Sequence, residues 1–135
     1  MGAWDVGPLD NDAAVDFLSE WQETEDYDHL DELLTEILDL GGAYIESDLG
    51  QAVVAAGYIV AAVVNENQGS VFEDDEESED WIMVLPEPEV ALLTKLVKSL
   101  RRILKPESEV REVWEETDDF DSWKASVAEI ISELT

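Results

Sequence analysis

The chain predicts an all-α fold, a compact bundle of five to six helices around an apolar central helix at about 49–65. Three observations lead there. Apolar residues recur at three- and four-residue intervals in successive segments. Glycine, proline and acidic capping residues fall between those segments rather than inside them. The stretch AVVAAGYIVAAVV at 52–64 is apolar nearly all round, as expected of a helix enclosed by others.

The first helix is expected to begin at Asp10 or Asn11, either of which can cap it. Ala13, Ala14, Phe17, Leu18 and Trp21 then form one apolar face, and QETEDYD at 22–28 reads as a polar connector. A second helix follows from about Asp28 to Leu40. It has a stripe of Leu30, Leu33, Leu34, Ile37 and Leu38, an acidic outer face, and GG at 41–42 to end it. Ser47 or Asp48 is the expected cap of the central helix. Its valines and Ile59 leave a strand as the alternative, but its length and alanine-rich interior favour the helix. Its alanines and Gly57 would let neighbouring helices approach closely.

An acidic loop is expected at 65–80, where seven of the eight residues from Glu73 to Asp80 are acidic. A short apolar return at 81–85 follows. PEPE at 86–89 is expected to open a helix that runs to Lys105-Pro106, with proline in its first turn. That helix pairs an apolar face (Leu92 to Leu104) with a cationic stripe of Lys95, Lys98, Arg102 and Lys105, suited to pairing with the acidic face of the second helix. A short helix near Ser108, a break at TDDFD and a last helix from about Ser122 complete the bundle. No internal repeat or long linker divides the 135 residues, so a single domain is expected.

Charge is the unusual quantity. The chain carries 35 acids and 7 bases, a formal net charge of −28. All seven cations lie at or beyond position 95, so the first 94 residues hold 25 Asp and Glu with no Lys or Arg. Such a field repels nucleic acid and anionic membrane and attracts basic proteins. Adaptation to a salty cytoplasm is the plain alternative. There is no cysteine, which removes disulfides, thiolate metal sites and cysteine nucleophiles. The 13 apolar residues at 52–64 fall short of the roughly 20 needed to span a bilayer. No secretory leader pattern stands at the start, and the expected location is the cytoplasm.

Catalytic signals are absent from the sequence. His29 is the only histidine, and no nucleophile motif or glycine-rich phosphate loop accompanies it. DNDAAVD near the start lacks the central glycine of a calcium loop, and the position for its bidentate acid falls on Trp21. The chain is therefore expected not to be an enzyme and to use no cofactor or metal. The expected interaction surface is the acidic segment with its aromatic edges: Phe72, Glu73, Asp74, Asp75, Glu76, Glu77, Glu79, Asp80 and Trp81. Charge there would attract a partner from a distance, and the aromatics would anchor it.

The opening Met1-Gly-Ala-Trp4, with Gly7-Pro8, Asp10-Asn11-Asp12, Ala14 and Asp16-Phe17, resembles that of a bacterial family known as domain-of-unknown-function family 4259. The alanine- and valine-rich Ala52–Val64 matches in order, as do Ser108-Glu109-Val110, Trp114 and Trp123. Asp5, Leu9 and Tyr58 depart from the family pattern, and the run from Glu73 to Asp80 looks like an insertion. The resemblance implies a small cytoplasmic helical protein and carries no activity with it. Residues 1–9 read as a structural anchor, with Trp4 packed on the bundle. The functional expectation is an immunity protein that neutralises a cognate toxin by masking a basic surface or active site. The alternatives are a DNA-mimic inhibitor of a DNA-binding protein and a carboxylate-dependent enzyme.

Overall fold

The computed structural model describes residues 12–72 and 75–135. Among them are seven α-helices: α1 (Asp12–Trp21), α2 (Asp28–Asp39), α3 (Ser47–Val64), α4 (Glu76–Val84), α5 (Val90–Ile103), α6 (Glu109–Glu115) and α7 (Phe120–Leu134). A single 3-10 turn at Gln68–Ser70 precedes α4. The all-α class holds, with seven helices in place of the expected five to six. The additional one is α4. The second half of the expected acidic loop and the apolar return join into one helix, because Asp75 caps a segment with acids in its first turn and Trp81 and Ile82 to bury.

α3 is the axis of the bundle. It touches all six other helices, and thirteen of its residues are buried. Its length and mean hydropathy of 1.6 suit a membrane span, but 72% of it is buried inside the bundle. Two glycines permit the close packing. A Cβ on Gly50 would lie 2.5 Å from Val110 Cγ1 of α6. One on Gly57 would lie 3.0 Å from both Ile130 of α7 and Leu100 of α5. The expected role for Gly57 is therefore the one it has.

The start of α3 departs from the sequence expectation. Ser47 and Asp48 are its first helical residues, and Glu46 at the cap position makes no side-chain bond. The orphan N–H of Ser47 donates instead to Glu109 Oε1 at 2.7 Å, so a residue of α6 completes the helix start. Beside it, Ile45 N–H donates to the Glu107 carbonyl at 2.9 Å and Glu109 N–H to the Ile45 carbonyl at 2.8 Å. This one-residue parallel bridge pins the loop before α3 to the loop before α6.

Two further boundaries differ. Residues 86–89 stay outside α5, whose cap is the extended Glu89, so both prolines precede the helix. α7 begins at Phe120, within the expected break. The predicted cap of α1 at Asp10 or Asn11 and the packing of Trp4 lie outside the described residues. All the helices contribute to one apolar core, in which Trp21, Leu30, Leu34, Ile37, Ile59, Leu96 and Leu100 are fully enclosed.

Candidate functional site

From Asp75 onward the acidic segment is capped and helical. Asp75 accepts the Ser78 N–H at 3.3 Å and the Ser78 hydroxyl at 2.6 Å. These bonds hold its carboxyl below the ordinary aspartate range. Gln22, just past α1, donates its side-chain amide to Ser78 Oγ at 2.9 Å and so ties the two elements together. Glu76, Glu77 and Asp80 are exposed, Glu79 is half-buried, and Glu73 and Asp74 lie outside the described residues.

The aromatic edges are placed otherwise than expected. Phe72 is half-buried against the core. Trp81 is only 6% exposed. Its ring meets Trp21 edge-to-face at 4.9 Å, and its indole N–H donates to the Thr24 carbonyl at 2.8 Å. A tryptophan so placed holds α4 on the bundle and cannot double as an exposed anchor. The apolar side chains that α4 leaves outside are Met83 and Val84, followed by Val90 at the head of α5.

A second acidic surface was not singled out by the sequence. Between α1, α2 and the first turn of α3 lies a groove of about 390 Å³. Phe17, Leu33 and Leu49 give it an apolar floor, with Asp16 and Glu20 on one side, Glu32 and Glu36 on another, and Asp48 at the end. None of these five acids is paired with a Lys or Arg among the described residues. His29 lies within the groove, stacked on Phe17 with ring centroids 5.0 Å apart. Its Nε2 is 3.4 Å from Glu20 Oε2, within ion-pair reach, yet it has no hydrogen-bonded partner. The signal that could have found this surface is the i,i+4 placement of acids beside each apolar stripe.

The cationic stripe of α5 pairs with α2 only in part. Lys95 Nζ donates to Asp31 at 2.7 Å and to the Thr35 hydroxyl at 2.8 Å. Arg102 turns to backbone instead, donating to the carbonyls of Gly41, Ala43 and Pro106. It thereby satisfies the turn that ends α2. Lys98, Arg101 and Lys105 make no ion pair among the described residues. The expected neutralisation of α2 thus reduces to one bond.

A cleft of about 540 Å³ opens between the start of α2 and α5. Tyr27, Asp28, Asp31, Glu87, Glu89 and Lys95 line it. The Tyr27 hydroxyl donates to the Pro86 carbonyl, and burial pushes its pKa up to about 12. Among the described residues no group of three or more His, Cys, Asp or Glu side chains is disposed to hold a metal ion. What these surfaces can do is electrostatic: they present dense, fixed negative charge, in one place around an apolar floor.

The fold and its surfaces define a small all-helical acidic protein with open grooves among its described residues. The chain belongs to the family described as Domain of unknown function (DUF4259), whose model matches residues 2–126. No curated protein and no solved structure matches it.

Proposed function

We propose that this protein is a non-enzymatic acidic binding protein of the cytoplasm that masks a basic partner, and specifically an immunity protein that neutralises a cognate toxin. One observation carries the reading. Among the described residues before position 95, Asp31 is the one carboxylate paired with a Lys or Arg. The negative field of that part of the chain is therefore left for a partner rather than spent on internal ion pairs. Toxins that act on nucleic acids have cationic clefts, and a folded acidic surface with a concave apolar patch can plug one. Steering by charge would speed association, and apolar contact would slow release.

The test is co-expression with candidate toxins encoded by neighbouring genes, followed by a pull-down at low and high salt. Protection of the cells together with a complex is the expected result. If no pairing protects cells or forms a complex, the immunity reading fails.

A DNA mimic aimed at a DNA-binding protein is the second reading, favoured by one row of side chains. Asp28, Glu32 and Glu36 are exposed on α2 at four-residue steps. Each step advances about 6 Å along the helix, on the scale of phosphate spacing along a strand. Mimicry predicts that duplex DNA competes for the partner. Binding that DNA leaves unchanged excludes it.

A further inference from the structure

We infer that the groove between α1, α2 and the first turn of α3 is the docking site for a cationic amphipathic helix of the partner. An apolar side chain of that helix would lie on Phe17, Leu33 and Leu49, with lysine or arginine on either side. The inference rests on the reading of the protein as an acidic binder of a basic protein, and adds to it the surface used and the chemistry of the segment recognised.

The first argument is the combination of floor and rim. Charge alone gives attraction at a distance but little short-range energy once salt screens it, whereas an apolar contact at the centre of a charged rim supplies both. On α4 the acids stand over a tryptophan that is turned into the core. In the groove, half-buried Leu33 and Leu49 remain beside the carboxylates. A volume of about 390 Å³ is suited to a few anchoring side chains rather than to a whole loop or domain.

The second argument is spacing. Asp16 and Glu20 stand four residues apart on α1, and Glu32 and Glu36 stand four apart on α2. Each pair spans about one helical turn. A helix that carries an apolar stripe with cations one turn apart on its flanks repeats that interval, which is the usual logic of a helix laid in a groove.

The third argument is a polar group left without a partner. His29 Nε2 makes no hydrogen bond, and Glu20 Oε2 lies 3.4 Å from it on the rim of the groove. An incoming ammonium or guanidinium group would pair with Glu20. No lysine or arginine of the described chain does this.

The experiment titrates the full-length protein with two helix-forming peptides of about 15 residues, a length at which isolated helices become tenable. Both contain the same leucines and lysines. In one the leucines form a stripe, and in the other they are scrambled around the helix. The striped peptide is expected to bind about tenfold or more tightly, a difference one buried apolar side chain can supply. Amide shifts on the unmodified protein should centre on Phe17, Leu33 and Leu49. A Glu32→Lys/Glu36→Lys variant, changed at two exposed positions, should lose about tenfold or more in affinity. A Glu129→Lys/Glu133→Lys variant on exposed positions of α7, with the same change in net charge, should lose less than about threefold.

Equal affinity for the two peptides, no binding of the striped peptide, equal losses in the two variants, or shifts centred on α4 would each overturn the groove. The wider reading fails separately. A toxin that is neutralised equally well by the Glu32→Lys/Glu36→Lys variant removes the groove and leaves the immunity function standing. Peptide seated in the groove with no toxin protected against does the reverse.

Discussion

Helix α4 carries Glu76, Glu77, Glu79 and Asp80 within nine residues, whereas the groove carries Asp16, Glu20, Glu32 and Glu36 spread over two helices. In sequence the first is conspicuous and the second is not. In three dimensions the order reverses. The α4 acids sit above Trp81 and Ile82, which face inward, and the exposed Met83 and Val84 follow them at the helix end. The groove acids flank Leu33 and Leu49, which stay half-buried, beside the buried Phe17. Charge density along a chain marks where solvent is needed as often as where a partner binds. A surface that must also supply short-range energy is better recognised by acids and apolar groups that share a concavity.

The largest expected effect tests the inward side of α4. Trp81→Ala removes a buried indole that packs on Trp21 and donates to the Thr24 carbonyl. It should cost about 3–5 kcal/mol of stability, read from chemical denaturation. If it left stability unchanged while abolishing partner binding, Trp81 would be an exposed anchor after all and the comparison would break.

The cap of α4 should matter less. Asp75→Ala removes the acceptor for both the Ser78 N–H and its hydroxyl, and should lower the melting temperature by less than Trp81→Ala does. The same contact fixes an acid dependence. Because the folded carboxyl lies below its ordinary value of 3.8, its contribution is present above that pH and is lost as pH falls through the lower folded value. A variant without Asp75 should therefore show a flatter stability profile in that acid range.

Tyr27 links the two regions, since it sits on the turn from α1 to α2 and its hydroxyl meets Pro86 just beyond α4. Its folded pKa of about 12 stands above the ordinary 10.0. The stability it contributes is therefore complete below pH 10 and disappears as pH rises toward 12. In a Tyr27→Phe variant, phenolate absorbance should lose a component that titrates near pH 12.

The smallest expected effect is on the outward side of α4. Met83→Ser, at a side chain 56% exposed, should change stability by no more than about 0.5 kcal/mol. A large loss of partner affinity in that variant, with the groove variants silent, would move the docking surface to the end of α4.

Much of the fold was legible because its signals are local. The stripes of α1, α2 and α5 bury the residues their spacing marks, among them Phe17, Leu34 and Leu96. Gly57 could be read as a close-packing position in an alanine-rich helix, whereas Gly50, which meets Val110 of α6, could not. α4 was missed because acids so dominate its first turn that they mask a cap and a short apolar face. The candidate surface was less legible than the fold. Phe72 and Trp81 are conspicuous residue types, but nothing local says which way an aromatic side chain turns. The surroundings of His29 were not legible because its neighbours, Phe17 and Glu20, belong to the preceding helix.

By itself the sequence determined the helical class, the apolar central helix, the family and a charge division with every cation at or beyond position 95. Periodicity and composition are enough for these, since each depends on residues a few positions apart or on a sum over the chain. Only the tertiary structure decided that Glu109 completes the start of α3, that Arg102 serves backbone carbonyls instead of α2's acids, and that Trp81 faces inward. It alone brought five carboxylates with no Lys or Arg partner among the described residues around Phe17, Leu33 and Leu49. Each of these joins elements distant in the chain, and their meeting depends on how the helices pack around α3, which no local pattern encodes.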